Sequence, residues 1–245
     1  MDIRKSWIVE KPIAHRGLHN AEAPENSLEA FGKAIENGFA IELDVRLTDD
    51  GEVVVFHDDS LTRMTSADGY MSNITADGVK SLRLLGTECT VPTFAETLEF
   101  VAGRAPILIE TKNTGKVGDL ESKTLQLLSG YKGEVAVQSF NPYSMEYFKT
   151  NAPAVMRGQL STFFEKGTLP FSKRFLLKRL KLNGVSKPDF ISYGAEFLPN
   201  RYVTKTGLPV LAWTVRSNAE MESVLPYCDN IIFEKFIPKM TANEE

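Results

Sequence analysis

Residues 40–57 read AIELDVRLTDDGEVVVFH. The first eight are apolar or β-branched at most positions and predict a strand. Thr48-Asp49-Asp50-Gly51 is turn chemistry, and Glu52–His57 predicts a second strand. So short a connection suits only an antiparallel return, because a parallel partner needs a crossover of a dozen or more residues. The return strand is therefore a hairpin above a sheet, not a further parallel member of it.

Working outward, short apolar runs at 13–17, 40–47, 106–111, 134–139, 154–160, 189–193, 209–215 and 229–233 alternate with amphipathic stretches at 27–37, 93–102, 118–128, 143–150, 163–182, 199–205 and 219–225. Asn26 or Ser27 is placed to cap the first of these helices, with Glu29 in its first turn. Strand–helix alternation implies parallel strands with crossover helices. Eight such units predict an α/β fold, a (β/α)8 TIM barrel. A barrel of about 250 residues would take the whole chain, 1–245, as a single domain. Residues 58–91, mixed in polarity and rich in turn residues, are too long for an ordinary loop and predict a small insertion after the second-strand hairpin. The end of the chain, TANEE, is expected to fray.

Composition narrows the function. With 42% hydrophobic and 24% charged residues the chain is of ordinary globular type, and a net charge of −4 offers no global field for nucleic acid. Cys89 and Cys228 form no paired motif, which fits a reducing, cytoplasmic setting. No run approaches the ~20 apolar residues of a membrane span, so no stable membrane insertion is expected. Oligomeric state is left open.

Glu42 and Asp44 are two apart and share one face of their strand. A two-residue turn at Asp50-Gly51 would set His57 opposite Asp44 on that face. Carboxylates that close repel unless a cation lies between them, and oxygen ligands suit Mg²⁺ or Ca²⁺. The alternative is a salt-bridged strand end with Arg46 as partner. His15-Arg16-Gly17 closes the first strand candidate, at the end where barrel enzymes carry their chemistry. It combines a group that titrates near neutrality with a planar fork suited to phosphate. His19 is assigned to the loop beyond. In PILIETK, Glu110 and Lys112 again share a face. Glu110 suits a third metal carboxylate and Lys112 a phosphate contact; the alternative is an ion pair capping the barrel. No P-loop, GxSxG or HExxH pattern is present.

AHRG (14–17), PENSLEAF (24–31), IELDVRLTDDGEVVVFHDDSLTR (41–63), VPTFAETL (91–98) and IETK (109–112) occur in that order. Together they resemble the bacterial glycerophosphodiester phosphodiesterases, with QSFNP, LPVLAWTV and DNIIF similar to that family's later strand ends. The resemblance implies a barrel with its site at the strand C-termini and hydrolysis of a small-molecule glycerophosphodiester to glycerol 3-phosphate and an alcohol. It implies a divalent cation held by Glu42, Asp44 and Glu110, an acid–base pair of His15 and His57, phosphate binding by Arg16 and Lys112, and Trp213 lining the site. It also suggests first attack by the glycerol 2-hydroxyl. Phe233 and Glu234 depart from the Thr-Asp common in relatives, and the proline that follows is delayed to Pro238. Two alternatives share these motifs: a lysophospholipase D-like activity on lipids and a non-catalytic barrel that binds phosphate ligands. The basic, apolar stretch 173–182 is expected to cover the barrel wall.

Overall fold

The computed structural model describes residues 2–113 and 116–239. Strands β1 (Ile13–Ala14) and β2 (Ala40–Leu47) are followed by the return strand β3 (Val53–Val55). Then come β4 (Ile107–Thr111), β5 (Val135–Ser139), β6 (Met156–Ser161), β7 (Phe190–Gly194), β8 (Val210–Val215) and β9 (Asn230–Phe233). Apart from β3, all pair in parallel. β1 lies between β9 and β2, which closes the ring of eight. β3 pairs with β2, antiparallel and outside the ring, and its Val54 also bridges Thr93. The expected (β/α)8 barrel is thus present. Residues 58–91 follow the hairpin as short helical turns with an apolar cluster of their own, including Leu61, Met64, Met71 and Val79. No helix among the described residues is long and apolar enough to cross a membrane.

The period of two along each strand sorts side chains into layers. Ile41, Leu43, Val45, Ile107 and Ile109 pack outward against helix residues such as Phe31, Phe94 and Val101. Ile13, Ala40, Leu108, Ala136, Phe190, Leu211 and Ile232 fill the interior from below, where Trp7 and Ile8 of the short helix Trp7–Glu10 join them. Asn230 fastens this floor by donating from Nδ2 to the carbonyls of Ile8 (2.8 Å) and Lys11 (2.7 Å). Each large apolar side chain so buried is worth roughly 1.5–3 kcal/mol. The same interior parity, two residues further along β2 and β4, carries Glu42, Asp44 and Glu110. The apolar floor offsets the cost of that charged layer.

Three local expectations are corrected. The hairpin register is one residue off, pairing Val45 with Val55 and Leu47 with Val53. Thr48 N donates to Glu52 O (3.0 Å), so the loop holds three residues, with Gly51 at φ 77°. That is the three-residue hairpin with its glycine in the left-handed region. Phe56, not His57, therefore stands across from Asp44, and its N donates to Asp44 O at 2.9 Å. The first strand stops at Ala14, because Arg16 and Gly17 take positive φ (56° and 81°) and turn the chain. The long wall helix is absent. Only Phe171–Leu177 is helical there, none of its residues is buried, and Leu180 at φ 54° stops further winding. The terminal TANEE lies outside the described residues.

Candidate active site

The strand C-termini converge on a pocket of about 160 Å³ lined by His15, Arg16, Glu42, His57, Glu110, Lys112 and Trp213, together with Gln138, Phe140 and Arg216. This is well below the roughly 300–1,000 Å³ of sites for drug-sized ligands. The geometry suits a small polar molecule.

The turn after β1 sets the first side of the pocket. Arg16 N donates to Glu42 Oε2 (2.9 Å), which its left-handed backbone makes possible. Its guanidinium donates from Nη1 to Glu25 (2.6 Å), and Nε lies 3.3 Å from Asp44 Oδ2. Gly17 permits the turn to press on the next helix: a Cβ there would meet the Ala30 backbone carbon at 2.8 Å. Ser27, not Asn26, caps the helix Leu28–Glu36 by accepting from Ala30 N. Asn26 instead donates from Nδ2 to Asp44 Oδ2 (2.9 Å).

Glu42, Asp44 and Glu110 are buried, and one oxygen from each lies within 4.8 Å of the others. Lys112 Nζ stands 2.6 Å from Glu110 Oε1 and 3.1 Å from Asp44 Oδ1. Burial and the two neighbouring carboxylates push Glu42 well above the usual carboxylate range. Burial, with Asp44 adding to it, also raises Glu110, against the pull of Lys112. Burial opposes ionisation of Asp44 too, but Lys112, His57 and Arg16 outweigh it and hold that carboxyl low. Beyond the Lys112 ammonium, Asp44 Oδ1 accepts no hydrogen bond among the described residues. Crowded oxygens with strained ionisation are a donor set that fits a hard divalent cation.

The histidines come from separate segments, His15 just after β1 and His57 just after β3. His15 Nδ1 is 2.8 Å from Glu234 Oε2. Burial works against ionisation of Glu234, but the hydrogen bond from His15 and the nearby Arg216 hold it below the usual range. An ionised carboxylate only accepts, so Nδ1 carries the hydrogen. His57 Nδ1 lies 2.6 Å from Asp58 Oδ1, and Asp58 is held at about 2, with Arg63 and His57 overcoming its burial. Both rings thus have the same tautomer, with Nε2 bare when neutral. Burial lowers His15, and it lowers His57 to about 4. Arg63 donates to Asp58 (2.5 Å) and to Glu25 (2.6 Å), and Glu25 in turn binds Arg16. The insertion is thereby tied to the turn after β1.

All eight residues singled out in the sequence come together here. Lys112 sits among the carboxylates, and Trp213 makes a T-shaped contact with Phe140 (5.6 Å between ring centroids). Trp213 Nε1 has no partner among the described residues. His19 Nε2 lies 3.6 Å from Glu234. Sequence reading gave no site role to Glu25, Asn26, Asp58, Arg216 or Glu234. The first two stood within the quoted PENSLEAF, and Glu234 showed itself only as a departure.

The model of the glycerophosphoryl diester phosphodiesterase family matches residues 15–233. The glycerophosphodiester phosphodiesterase of Caldanaerobacter subterraneus subsp. tengcongensis is 29% identical over 227 residues, which cover 87% of this chain and 88% of that protein. That of Bacillus subtilis is 26% identical over 250 residues, covering 91% and 83%. Among solved structures, an Oleispira antarctica phosphodiesterase in complex with the product sn-glycerol-3-phosphate superposes with a TM-score of 0.79 at 23% identity, over 94% of this chain and 95% of that one. These structural likenesses show a shared fold.

Proposed function

This chain belongs to the glycerophosphoryl diester phosphodiesterase family, and on that premise we propose that it hydrolyses glycerophosphodiesters to glycerol 3-phosphate and an alcohol. In this reading residues 1–245 act as one catalytic domain, with 58–91 as its small insertion. The observation that carries it is the convergence of two carboxylate-backed histidines, three crowded carboxylates and two cations on one small pocket at the barrel mouth.

Glu42, Asp44 and Glu110 are the residues to hold Mg²⁺ or Ca²⁺, which when bound would draw charge from the phosphoryl oxygens. Arg16 and Lys112 supply fixed positive charge for the same oxygens. His15 and His57 are neutral in the free pocket, where burial disfavours their protonated forms. An anionic diester between them raises both, so that one binds a proton at Nε2 and later gives it to the leaving alkoxide, while the other, neutral, takes the proton of the attacking hydroxyl. Glu234 and Asp58 hold the rings in the tautomer this exchange needs. Trp213 offers an apolar face, and an indole N–H, to the glyceryl side.

The pocket's size and its charged lining favour water-soluble diesters over substrates with an acyl tail. The test compares release of glycerol 3-phosphate from glycerophosphocholine, glycerophosphoethanolamine and glycerophosphoglycerol with choline release from lysophosphatidylcholine. Turnover of the soluble diesters supports the reading, and turnover confined to the lipid overturns it.

A further inference from the structure

The connection from β6 to β7 carries a charge unlike the rest of the molecule. Residues 162–181 hold Lys166, Lys173, Arg174, Lys178, Arg179 and Lys181 against a lone acid, Glu165, in a chain of net charge −4. None of these six cations lies within ion-pair distance of a carboxylate among the described residues, although the same distance is met many times elsewhere in the fold. Two of them stack on rings instead: Lys178 Nζ lies 5.1 Å from the Phe163 centroid, and the Arg179 guanidinium 3.8 Å from that of Phe175.

Apolar side chains stand out from the same segment. Phe171 is 73% exposed, Phe163 38% and Leu176 37%. The segment is fastened at the rim of the barrel. Ser161, the last residue of β6, donates from Oγ to Leu177 O (2.9 Å), and Tyr193 near the end of β7 donates to Lys178 O (2.8 Å). An aromatic line joins it to the pocket, through Trp213, Phe140 and Phe164 at centroid distances of 5.6 and 5.7 Å.

We infer that residues 163–181 form a docking surface for an anionic lipid bilayer, which holds the barrel mouth against the membrane without spanning it. Unpaired Lys and Arg beside projecting phenylalanines are what such a surface attracts. The cations gather in the negative potential of the headgroups, and the rings enter the boundary below them. A wholly electrostatic polyanion site would have no use for a phenylalanine exposed as Phe171 is.

The experiment is co-sedimentation of the full chain with vesicles of phosphatidylcholine alone, or with about a third of phosphatidylglycerol. Binding should be confined to the anionic vesicles and should weaken as salt rises. The double variant Lys173→Glu/Arg174→Glu reverses two charges and should lower binding on the order of a hundredfold. Phe171→Ser should weaken binding at every salt concentration. Both changes lie outside the pocket, so both variants should keep the circular dichroism spectrum and the turnover of a soluble diester. Equal sedimentation with the two vesicle types would overturn the inference, as would variants that bind like the parent. So would equally tight binding to a short RNA duplex that is indifferent to Phe171→Ser, since that marks a plain polyanion site.

Discussion

His15 and Glu234, 219 residues apart in the chain, meet at 2.8 Å across the seam where the barrel closes. The contact depends on β1 pairing with β9, with Ala14 opposite Phe233. Arg216 Nε donates to the other carboxylate oxygen at 2.8 Å, so Glu234 is held from both sides.

Glu234→Gln keeps an acceptor in place and removes the charge. Burial lowers His15, and Glu234 works to raise it. Without the carboxylate, His15 should titrate lower still. In the profile of kcat/KM against pH, the limb that belongs to His15 should move to lower pH while the other limb stays. Turnover at the optimum should fall, because the imidazolium has lost its partner. A profile identical to wild type would show that Glu234 does not act through His15.

Gly17→Ala tests the turn that delivers His15 and Arg16. At φ 81°, with a Cβ 2.8 Å from the Ala30 backbone, alanine is strained twice over. A cost of about 1–3 kcal/mol is expected, or several degrees in Tm for a chain of this size. Activity should fall further than stability, since the shift is passed to two pocket residues. A melting curve unchanged from wild type would contradict the strain.

Chelation addresses the carboxylates. With Glu42 and Glu110 both raised by burial and by neighbouring carboxylates, Asp44 above all, a bound divalent cation should relieve repulsion and stabilise the folded state. Excess chelator should abolish turnover and lower Tm, and Mg²⁺ or Ca²⁺ should restore both. Full activity in chelator, with no metal by elemental analysis, would remove the cation from the account.

The nucleophile can be read from a substrate analogue. If the glycerol 2-hydroxyl attacks first, a 2-deoxy diester should bind through the same phosphate contacts yet turn over far more slowly, because internal nucleophiles reach effective molarities of about 10⁵ M or more. A transient cyclic phosphate should appear with the natural diester. Equal rates without that species would point to direct attack by water.

The barrel was legible because β2 and the strands from β4 to β9 are short apolar runs bounded by turn residues, and the expected limits fall within a residue or two. Glu42, Asp44, Glu110 and Lys112 were legible because a period of two fixes which residues share a face. His57 reached the pocket by a route other than the expected one. The hairpin loop is a residue longer, and the ladder ends before His57, so the chain is free to turn it inward. The helix expected over 163–182 followed from composition, but apolar and basic residues side by side serve an exposed surface as well as a wall. Glu234 was out of reach for a plainer reason: contact between the two ends of the chain exists only once the ring closes.

The central claim is that this pocket cleaves a glycerophosphodiester with His15 and His57 as its proton-transfer groups. The measurement is phosphorus NMR of glycerophosphocholine incubated with metal-loaded wild type, His15→Ala and His57→Ala. Wild type should convert the diester resonance to that of glycerol 3-phosphate. Each variant, folded by circular dichroism, should be slower by about 10²–10⁴. Conversion by either variant at the wild-type rate, or no conversion of any glycerophosphodiester by wild type, would contradict it.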